Sequence, residues 1–554
     1  MNQPGAPALT AAESGPRGPD SDTVGRTRSR RQVVITMGGL LLAVFLASLD
    51  QTVVGTAIPR IVTDLGGFDR FTWITTSYIV ASITFVPIVG RLSDLYGRKA
   101  FFIGGILLFL VGSVLAGASQ TMNQLIAARA VQGVGGGAMM ALAFTTVADL
   151  FAPRERGKYT GYVAAVYGFS SMIGPVLGGL ITDNLSWHWI FYVNVPLGSA
   201  VIFLFIRFFP NVKPAKRKHR LDYPGMALLI AAVVSLLVGL SLAGVEYAWS
   251  SPQIIGTLLF AAVTAIAFIV VEWRSADPIM PLSIYSDRIV SISLAVTFLT
   301  GFAMFGTIIF IPLFFQAVLG TSATSSGSFL TPMMLSMVLA AALSGQALSR
   351  FGGHYRIQGL IGFAIFLVGL VFTSQMTPDT SFLEAVAFIT VLGFGVGITY
   401  PCFSISVQNA VPAQLLGAAT SATQFFRQIG GALGLAVLGS YMTARFHSRA
   451  LEALSAEVRS AFPSRQLDDL AENPQALVNP EALDRLRASI SGQDEQLLAQ
   501  LLESLRSVLS SSISEVFLVV TVAVVIAFAM VIFLPESPLS DRRPHQADQP
   551  QKTA

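Results

Sequence analysis

The chain has 554 residues, of which 53% are hydrophobic and 12% charged, and its formal net charge is +4. With so few polar side chains it cannot cover a soluble surface, and its long apolar runs each approach the ~20 residues of a membrane-spanning helix. The composition excludes a porin-like barrel, whose strands would alternate in segments of about ten residues. It gives no nucleic-acid signal, because the basic residues lie in short loops beside the apolar runs. We therefore predict an all-α polytopic membrane protein whose surroundings are the lipid bilayer.

Fourteen apolar runs are predicted to span the membrane. Residues 1–33, rich in Gly, Pro, Ser and Arg, are expected to form a disordered cytoplasmic tail, and residues 535–554 are expected to form a cytoplasmic tail at the other end. The ninth run is long enough to contain an irregularity. The predicted spans are 34–56, 72–90, 100–119, 123–147, 161–182, 190–209, 224–245, 252–271, 290–319, 327–348, 357–375, 382–404, 417–441 and 513–534.

The Lys and Arg residues of the short loops are concentrated on one side of these spans. The N-terminal tail carries four arginines between residues 26 and 31, and the loops after even-numbered spans carry basic clusters at 91–99, 154–158, 213–220 and 350–356. The positive-inside rule makes this side cytoplasmic. We therefore expect a multi-pass protein of the cell membrane, inner or plasma, with both termini in the cytoplasm.

Two charged residues lie inside apolar runs of the first half. At about 1.5 Å per residue, Asp50 in span 1 and Arg129 in span 4 lie roughly 12 Å and 10 Å from the outer ends of their helices. A carboxylate and a guanidinium make each other tolerable in a membrane cavity, so we expect them to pair. Asp50 is the candidate proton carrier and Arg129 its partner, because small rearrangements can load and unload a buried carboxyl. A permanent salt bridge that orients two helices is the alternative.

The segment "GRLSDLYGRK" at 90–99 combines glycines with charges in a loop after span 2. Gly90 and Gly97 allow a tight turn and close helix approach, and Asp94 is expected near the start of span 3, where a carboxylate favours a helix N-terminus. The basic residues are expected to bridge to neighbouring acids, so that the loop latches the two halves in one conformation. A solvated loop is the alternative. The basic residues in this predicted latch are Arg91, Arg98 and Lys99.

Two sequence echoes indicate an internal repeat. "VQGVGGGAMM" at 131–140 is echoed by "VLGFGVGITY" at 391–400, and "GRLSDLYG" at 90–97 by "GQALSRFG" at 345–352. Both echoes join spans eight apart, in the same orientation, as in transporters built from parallel repeats. We therefore predict one six-helix bundle at 34–209, two inserted helices with their loops at 210–288, and a second six-helix bundle at 289–534.

Span 13 contains a third buried charge, Arg427, about 15 Å into its helix. Neighbouring amides and scattered aromatic residues are predicted to line a substrate cavity with it, and an arginine there can anchor anionic or phospholipid-like substrates. For the arginine the alternative is a structural hydrogen bond to backbone carbonyls, and for each aromatic residue a place in the core or facing lipid. The other predicted cavity residues are Gln424, Gln428, Tyr78, Tyr167, Phe305 and Tyr400.

The segment 442–512 between the last two spans is predicted to be extracytoplasmic. Leucines recur in it at helical spacing, which predicts two amphipathic helices that prolong spans 13 and 14 outward, separated by "ENPQALVNPEALD". It is a candidate surface for an extracytoplasmic partner. The alternative is a solvated insertion with no role in transport. The residues that carry the spacing are Leu451, Leu454, Val458, Leu498, Leu501, Leu502, Leu505 and Leu509.

The loop at 90–99 resembles the signature loop of the major facilitator superfamily, and the fourteen spans resemble its drug:proton antiporter subfamily. "LDQTVVGTAIP" at 49–59 and "RAVQGVGGG" at 129–137 resemble that subfamily's motifs in spans 1 and 4. "GFSSMIGPVLGG" at 168–179 resembles its antiporter motif in span 5, which the subfamily associates with export. The residues of that motif are Gly174, Pro175, Gly178 and Gly179, and small residues with a proline also let helices pack closely and bend.

The resemblance implies a major facilitator fold and a proton-coupled antiporter that exports lipophilic or cationic drugs. A lipid or lipoglycan exporter is the alternative, because some lipid-exporting relatives extend the last two spans outward, and a membrane sensor without turnover is a further one. The five histidines show no metal-ligand spacing and no G-x-x-x-x-G-K-[ST] loop is present. We therefore expect no enzyme activity, no metal and no cofactor, with the proton gradient as the driving force.

Overall fold

The computed structural model describes residues 30–67, 70–210, 221–244, 246–319, 323–462 and 495–536, with four single positions between 463 and 470. This part of the chain is helical throughout. The helices are α1 (Arg30–Leu65), α2 (Thr72–Tyr96), α3 (Arg98–Gly117), α4 (Met122–Leu150), α5 (Pro153–Asn184), α6 (Trp189–Tyr192), α7 (Asn194–Phe208), α8 (Tyr223–Leu242), α9 (Pro252–Arg274), α10 (Arg288–Leu313), α11 (Ala323–Arg350), α12 (Tyr355–Ser374), α13 (Phe382–Ala410), α14 (Leu416–Ala450), α15 (Ala456–Ala461) and α16 (Glu495–Ile532).

Thirteen helical segments of the described chain are long and apolar enough to cross a membrane, the short α6 counting with α7. The predicted thirteenth span, α14, is the exception. It is 35 residues long, yet it buries Thr420, Thr423, Gln424 and Arg427 among small apolar residues. The irregularity expected in the ninth run is a π-helical turn at Phe314–Val318, directly after α10. The all-helical fold predicted from composition is confirmed.

The two halves repeat one packing scheme. In the first half α4 packs on α2 and α3, and α1 packs on α5 and α7; in the second half α13 packs on α11 and α12, and α10 on α14 and α16. The glycine triplets set these contacts. A side chain at Gly133 or Gly393 would overlap the main-chain oxygen of Tyr78 or Met333 on the neighbouring helix. The echo at 131–140 and 391–400 therefore preserves the sites where helix backbones touch.

The halves meet along two seams, α5 against α11 and α2 against α14. At the end of the bundle that carries the predicted cytoplasmic loops, which we call the basic face, these seams are closed. Gly157 and Gly345 contact each other through their backbones there, and Gly90 lies against Ser421. The inserted helices α8 and α9 pack together, and α8 also packs on α2 and α14.

The last two long helices extend into the segment 442–512, but the predicted amphipathic prolongation of span 13 is not one continuous helix, because α14 ends at Ala450 and Val458 lies in the separate α15. α14 continues to Ala450, and α16 begins at Glu495 and runs for 38 residues. Glu515 joins them, because it pairs with Arg449 at 2.6 Å and Arg445 at 3.1 Å. Residues 471–494, including the proline-punctuated linker, lie outside the described part. The predicted leucine pattern faces inward: Leu454, Val458, Leu498, Leu501, Leu505 and Leu509 are buried, and Leu451 and Leu502 are half-buried against the same core.

Candidate functional site

Asp50 lies in the middle of α1, where a sealed polar shell surrounds its carboxylate. Arg129 Nη1 lies 2.5 Å from Asp50 Oδ2, so the two buried charges predicted from the sequence are in direct contact. Asp50 Oδ1 accepts hydrogen bonds from Gln132 Nε2 at 2.8 Å and Asn194 Nδ2 at 2.9 Å. Both members of the ion pair are at most 2% exposed. Besides α1, two helices therefore contribute donors to this carboxylate: α4 through Arg129 and Gln132, and α7 through Asn194.

Arg129 is held on every side by its surroundings. Its Nε donates to the carbonyl of Ile74 at 3.3 Å, its Nη1 also reaches Gln132 Oε1 at 2.6 Å, and its Cζ lies 4.4 Å from the centre of the Tyr78 ring. Tyr78 is fully buried beneath this arginine. It therefore supports the ion pair, whereas the sequence predicts that it lines the substrate cavity.

Sequence reasoning missed the uncharged half of this site. Gln132, Asn194 and Ser113 are all buried, and Ser113 Oγ accepts from both amides while donating to the carbonyl of Phe191. Two signals were present: Gln132 follows Arg129 by one helical turn, and Asn194 stands in the apolar stretch "FYVNVP". A buried polar group without a partner is costly, so such isolated amides in a membrane helix indicate a network.

Asp94 occupies a different place from the one predicted. It lies in the last turn of α2, and its carboxylate caps the N-terminus of α14 rather than that of α3. Oδ1 accepts from the amide of Gly417 at 3.0 Å and Oδ2 from the amide of Ala418 at 2.8 Å. A carboxylate satisfies the free amides and the positive dipole end of a helix N-terminus. The contact crosses from one half of the molecule to the other.

The basic residues of the 90–99 loop divide into two groups. Arg98 bridges Asp94 at 2.5 Å and Asp149 at 2.8 Å. Arg91 and Lys99, which were expected to bridge acids, donate instead to backbone carbonyls, Arg91 to Pro278 and Lys99 to Ile206. Arg98 therefore orients the carboxylate that caps α14, and the other two fasten the loop to the insert and to the end of α7.

The two predicted glycines of this loop serve different needs. Gly97 separates α2 from α3 with φ +100°, a conformation that side chains rarely adopt. Gly90 lies so close to Ser421 that any side chain would overlap it. One glycine therefore makes the turn, and the other permits the close approach of the two halves.

The four residues of the span-5 motif also fall into two groups. Side chains at Gly174 and Gly178 would overlap Thr52 and Thr56, so these two glycines bring α5 against α1. Nothing lies within 4 Å of a side chain placed at Gly179, and Pro175 is exposed. The motif therefore packs α5 on the helix that carries Asp50 through one face and leaves its other face free.

The structure brings together three of the predicted cavity residues. Arg427 and Gln424 are each 5% exposed on α14, and the guanidinium of Arg427 lies 3.7 Å from the centre of the Tyr400 ring. Tyr400 in turn lies 6.2 Å from Phe144 of α4, so this group spans the boundary between the halves.

Three other predicted cavity residues are less deeply buried. Tyr167 and Gln428 are half-buried. Phe305 is also half-buried, and it packs against Gly431 between α10 and α14.

Comparisons with known proteins agree with this architecture. The chain is 38% identical to Multidrug resistance protein 3 of Bacillus subtilis (strain 168), over 92% of this chain and 96% of that protein. It is 35% identical to the Multidrug transporter protein MdtP of the same organism, over 95% and 97%. The structure of the proton:xylose symporter XylE shares the fold, with a TM-score of 0.56 and 12% identity, covering 94% of this chain and 99% of XylE.

A sequence model of the family described as Major Facilitator Superfamily matches residues 40–435, most of the membrane region. This match covers α2 to α13 entirely and includes both glycine triplets, the Asp50 site and Arg427. The chain therefore belongs to the major facilitator superfamily, as a multi-pass membrane transporter and not an enzyme.

Proposed function

We propose that this transporter is a proton-coupled antiporter that exports lipophilic or cationic drugs across the cytoplasmic membrane. Protons entering the cell would drive export, and both termini would lie in the cytoplasm with the basic face. The names of its relatives in Bacillus subtilis support multidrug export. The positive-inside rule supports the orientation, because Arg91, Arg98, Lys99 and Arg154 gather at one end of the bundle.

The observation that carries the proposal is the shell of Asp50. As an anion, Asp50 receives one charged and two neutral donors and neutralises Arg129. Protonation removes that charge and leaves a buried guanidinium without its counter-ion, which is costly in a medium of low polarity. The loss favours an arrangement in which α1 and α4 separate and Arg129 finds other partners. Proton binding at Asp50 is thereby coupled to movement within the first half.

The contacts at the basic face supply the second requirement of alternating access. Asp94 caps α14 across the α2–α14 seam, and Arg156 donates to the carbonyl of Gln408 across the α5–α13 contact. These bonds hold the basic face closed, and they must break for the transporter to open toward it. A two-state element of this kind is what links proton binding to drug movement.

Flux in proteoliposomes tests the proposal. Purified full-length chain is reconstituted with an acidic lumen that contains a pH-sensitive dye, the membrane potential is clamped with valinomycin and potassium, and ethidium is added outside. We expect ethidium to enter while the lumen becomes more alkaline. Asp50→Asn should abolish the coupled flux, whereas Asp183→Asn, which changes an exposed carboxylate at the end of α5, should not. Ethidium movement that does not depend on the pH gradient contradicts antiport. Unchanged coupled flux of ethidium and protons in Asp50→Asn removes that residue from the proton path.

One observation favours lipid export as a second candidate. α16 and the segment that follows α14, which includes α15, bury a continuous apolar seam, with Leu501, Leu505 and Leu509 in one cluster with Leu454 and Val458. Such a rigid extension suits a substrate that must be guided away from the membrane surface. Shortening the segment 442–512 should then stop export of a fluorescent phospholipid and leave ethidium efflux intact. Loss of both fluxes, or of neither, contradicts a lipid-guiding role.

A further inference from the structure

Two buried arginines lie on tyrosine rings in this molecule, one in each half, and only one has a counter-ion. Arg129 rests on Tyr78 and pairs with Asp50. Arg427 rests on Tyr400, and its Nε and Nη1 have no hydrogen-bond partner among the described residues, although both atoms are buried. The second half therefore holds a buried cation whose Nε and Nη1 donors have no partner among the described residues.

The helices around Arg427 contain no acidic side chain that could neutralise it. α14 and α10 have no Asp or Glu in their sequences. The single acid of α13, Glu384, bonds Ser381 at the N-terminus of that helix, and the single acid of α4, Asp149, is bound to Arg98. Of the other helices packed on α14, α2 uses Asp94 to cap the N-terminus of α14, and α16 uses Glu515 to bind Arg449. Among the described residues no carboxylate therefore pairs with Arg427 as Asp50 pairs with Arg129.

An uncompensated guanidinium is an expensive feature inside a membrane protein. Arginine keeps its charge in proteins, and contact with an aromatic face offsets only part of the cost of burying that charge. The planar donors of arginine match the oxygens of a carboxylate, sulfonate or phosphate. An anion that enters from outside the protein would supply the missing charge and occupy the unused donors.

The surroundings of Arg427 also suit an amphipathic ligand. Gln424 lies one turn before it on α14 and adds amide hydrogen-bonding capacity, while Tyr400 and Phe144 present rings from the second and first half. Polar recognition and aromatic surface therefore converge at the boundary between the halves, where alternating access would expose them.

We infer that Arg427, with Gln424 and the Tyr400 ring, anchors the acidic group of a lipophilic substrate. This inference rests on the proposed function and narrows its substrates, because a carboxylate, sulfonate or phosphate on an apolar body is then preferred over a cation. In the described conformation Arg427 is only 5% exposed, so the anion enters when the halves part.

Equilibrium binding without any gradient tests the inference. The full chain in nanodiscs is titrated with dansyl-labelled undecanoic acid, its methyl ester and the cation rhodamine 6G, and fluorescence polarisation is read against empty nanodiscs. A charge-assisted hydrogen bond corresponds to about tenfold or more in affinity. We expect the wild type to bind the acid at least about tenfold more tightly than the ester, and Arg427→Gln to bind the two equally. Arg427→Lys should retain part of the preference.

The controls separate a local loss of recognition from misfolding. Arg60→Gln removes an exposed charge at the far end of α1 and should keep the full preference. Arg427→Gln should bind the methyl ester and rhodamine 6G as the wild type does. If that variant does not fold, the wild type alone decides, because equal affinity for acid and ester overturns the inference. Equal affinity for acid and ester together with pH-driven ethidium flux overturns this inference and leaves the proposed function intact. A preference for the acid without pH-driven flux supports anion binding by Arg427 and overturns the proposed function.

Competition identifies where the acidic group comes from. Short-chain phosphatidic acid should displace the dansyl acid if the substrate is an anionic lipid, with short-chain phosphatidylcholine as the control. Displacement by octanoate and not by phosphatidic acid indicates a free organic acid. Either result supports an anion anchored by Arg427, provided that the displacement is lost in Arg427→Gln.

Discussion

The two six-helix halves share their backbone packing and differ in what they bury. α4 and α13 touch their neighbours through matching glycines, and a side chain at Gly133 or Gly393 would meet a main-chain oxygen in the same way. Yet Ile389 and Leu392 of α13, both fully buried, stand where α4 has Arg129 and Gln132. α10, which packs on α13 as α1 packs on α4, has no acidic residue.

This difference distinguishes the residues that the fold requires from the residues that serve a function. The second half shows that the scaffold is complete with an apolar interior, so the ion pair of the first half is not needed to hold four helices together. Replacing a buried ion pair by well-packed apolar residues is often neutral or stabilising. The polar shell of Asp50 is therefore best explained by a function that the second half does not share.

The largest expected effect comes from breaking this shell on one side. Arg129→Ile copies the residue of α13 but leaves the Asp50 carboxylate buried and unpaired. We expect the free energy of unfolding to fall by about 3–5 kcal/mol, and pH-driven flux to be lost. Denaturant unfolding in detergent, followed by tryptophan fluorescence, measures the first effect.

Removing both charges together provides the control for that variant. Asp50→Val combined with Arg129→Ile and Gln132→Leu leaves Asn194 bonded to Ser113, and it should recover most of the lost stability without restoring coupled flux. A triple variant as unstable as Arg129→Ile would mean that the shell is required for folding, and the distinction between residues for the fold and residues for function would be wrong.

A smaller effect tests the shared packing itself. Gly133→Ala and Gly393→Ala each force a methyl group into a backbone contact, and overpacking of this kind costs about 1–3 kcal/mol. We expect the two losses in stability to be similar, because each methyl group would meet a main-chain oxygen in the same way. The double variant should lose their sum within about 0.5 kcal/mol, since distant sites behave independently. Gly104→Ala, where the space beside α3 is open, is the matched control and should lose nothing. A large loss in one half alone would contradict equivalent packing.

The smallest expected effect concerns the seam at the basic face. Asp94→Asn loses the ion pair with Arg98 and one of the two acceptors for α14, a change of about 1 kcal/mol for a helix cap. This corresponds to about a fivefold shift toward a conformation open at that face. Spin labels at the exposed positions 96 and 414, at the end of α2 and just before α14, in a Cys402→Ala background, should report a longer distance in part of the population.

Ser349 supplies the control because it occupies the place of Asp94 in the second echo. Its side chain bonds only its own helix, and its main-chain oxygen receives Arg154. Ser349→Ala should therefore leave the distance distribution unchanged. An equal response of the two variants would show that the seams are equivalent, contrary to the geometry.

The sequence predicted the helical spans well because each has to be apolar along its length. α14 is the instructive exception, since Gln424 and Arg427 face inward and lower its apolar character without ending the helix. The contact between Asp50 and Arg129 could be anticipated from depth alone, because helical rise converts residue number into distance. The glycine echo predicted the repeat for a similar reason, as close backbone approach leaves no choice of residue.

Other features depend on contacts that no local pattern records. Asp94 lies 323 residues before Gly417, so its sequence neighbours suggested the wrong helix N-terminus. Asn194 and Gln132 are single neutral amides, and only the fold reveals that both point at Asp50. Tyr78 was predicted from residue type to line a cavity, but its place beneath Arg129 is set by how α2 packs on α4.

The backbone contact between Gly157 and Gly345 gives the two seams different mechanical properties. No side chain separates α5 from α11 at that point, and a hydrogen bond that crosses this seam, from Arg154 to the main-chain oxygen of Ser349, is exposed to solvent, so the helices can roll on each other at little cost. The α2–α14 seam cannot move in this way, because the amides of Gly417 and Ala418 are bonded to Asp94. The α5–α11 seam therefore allows the helices to rotate, whereas the α2–α14 seam opens only when the hydrogen bonds of Asp94 break. We therefore expect the two halves to rotate about the α5–α11 contact when the basic face opens, with the widest separation beside α14.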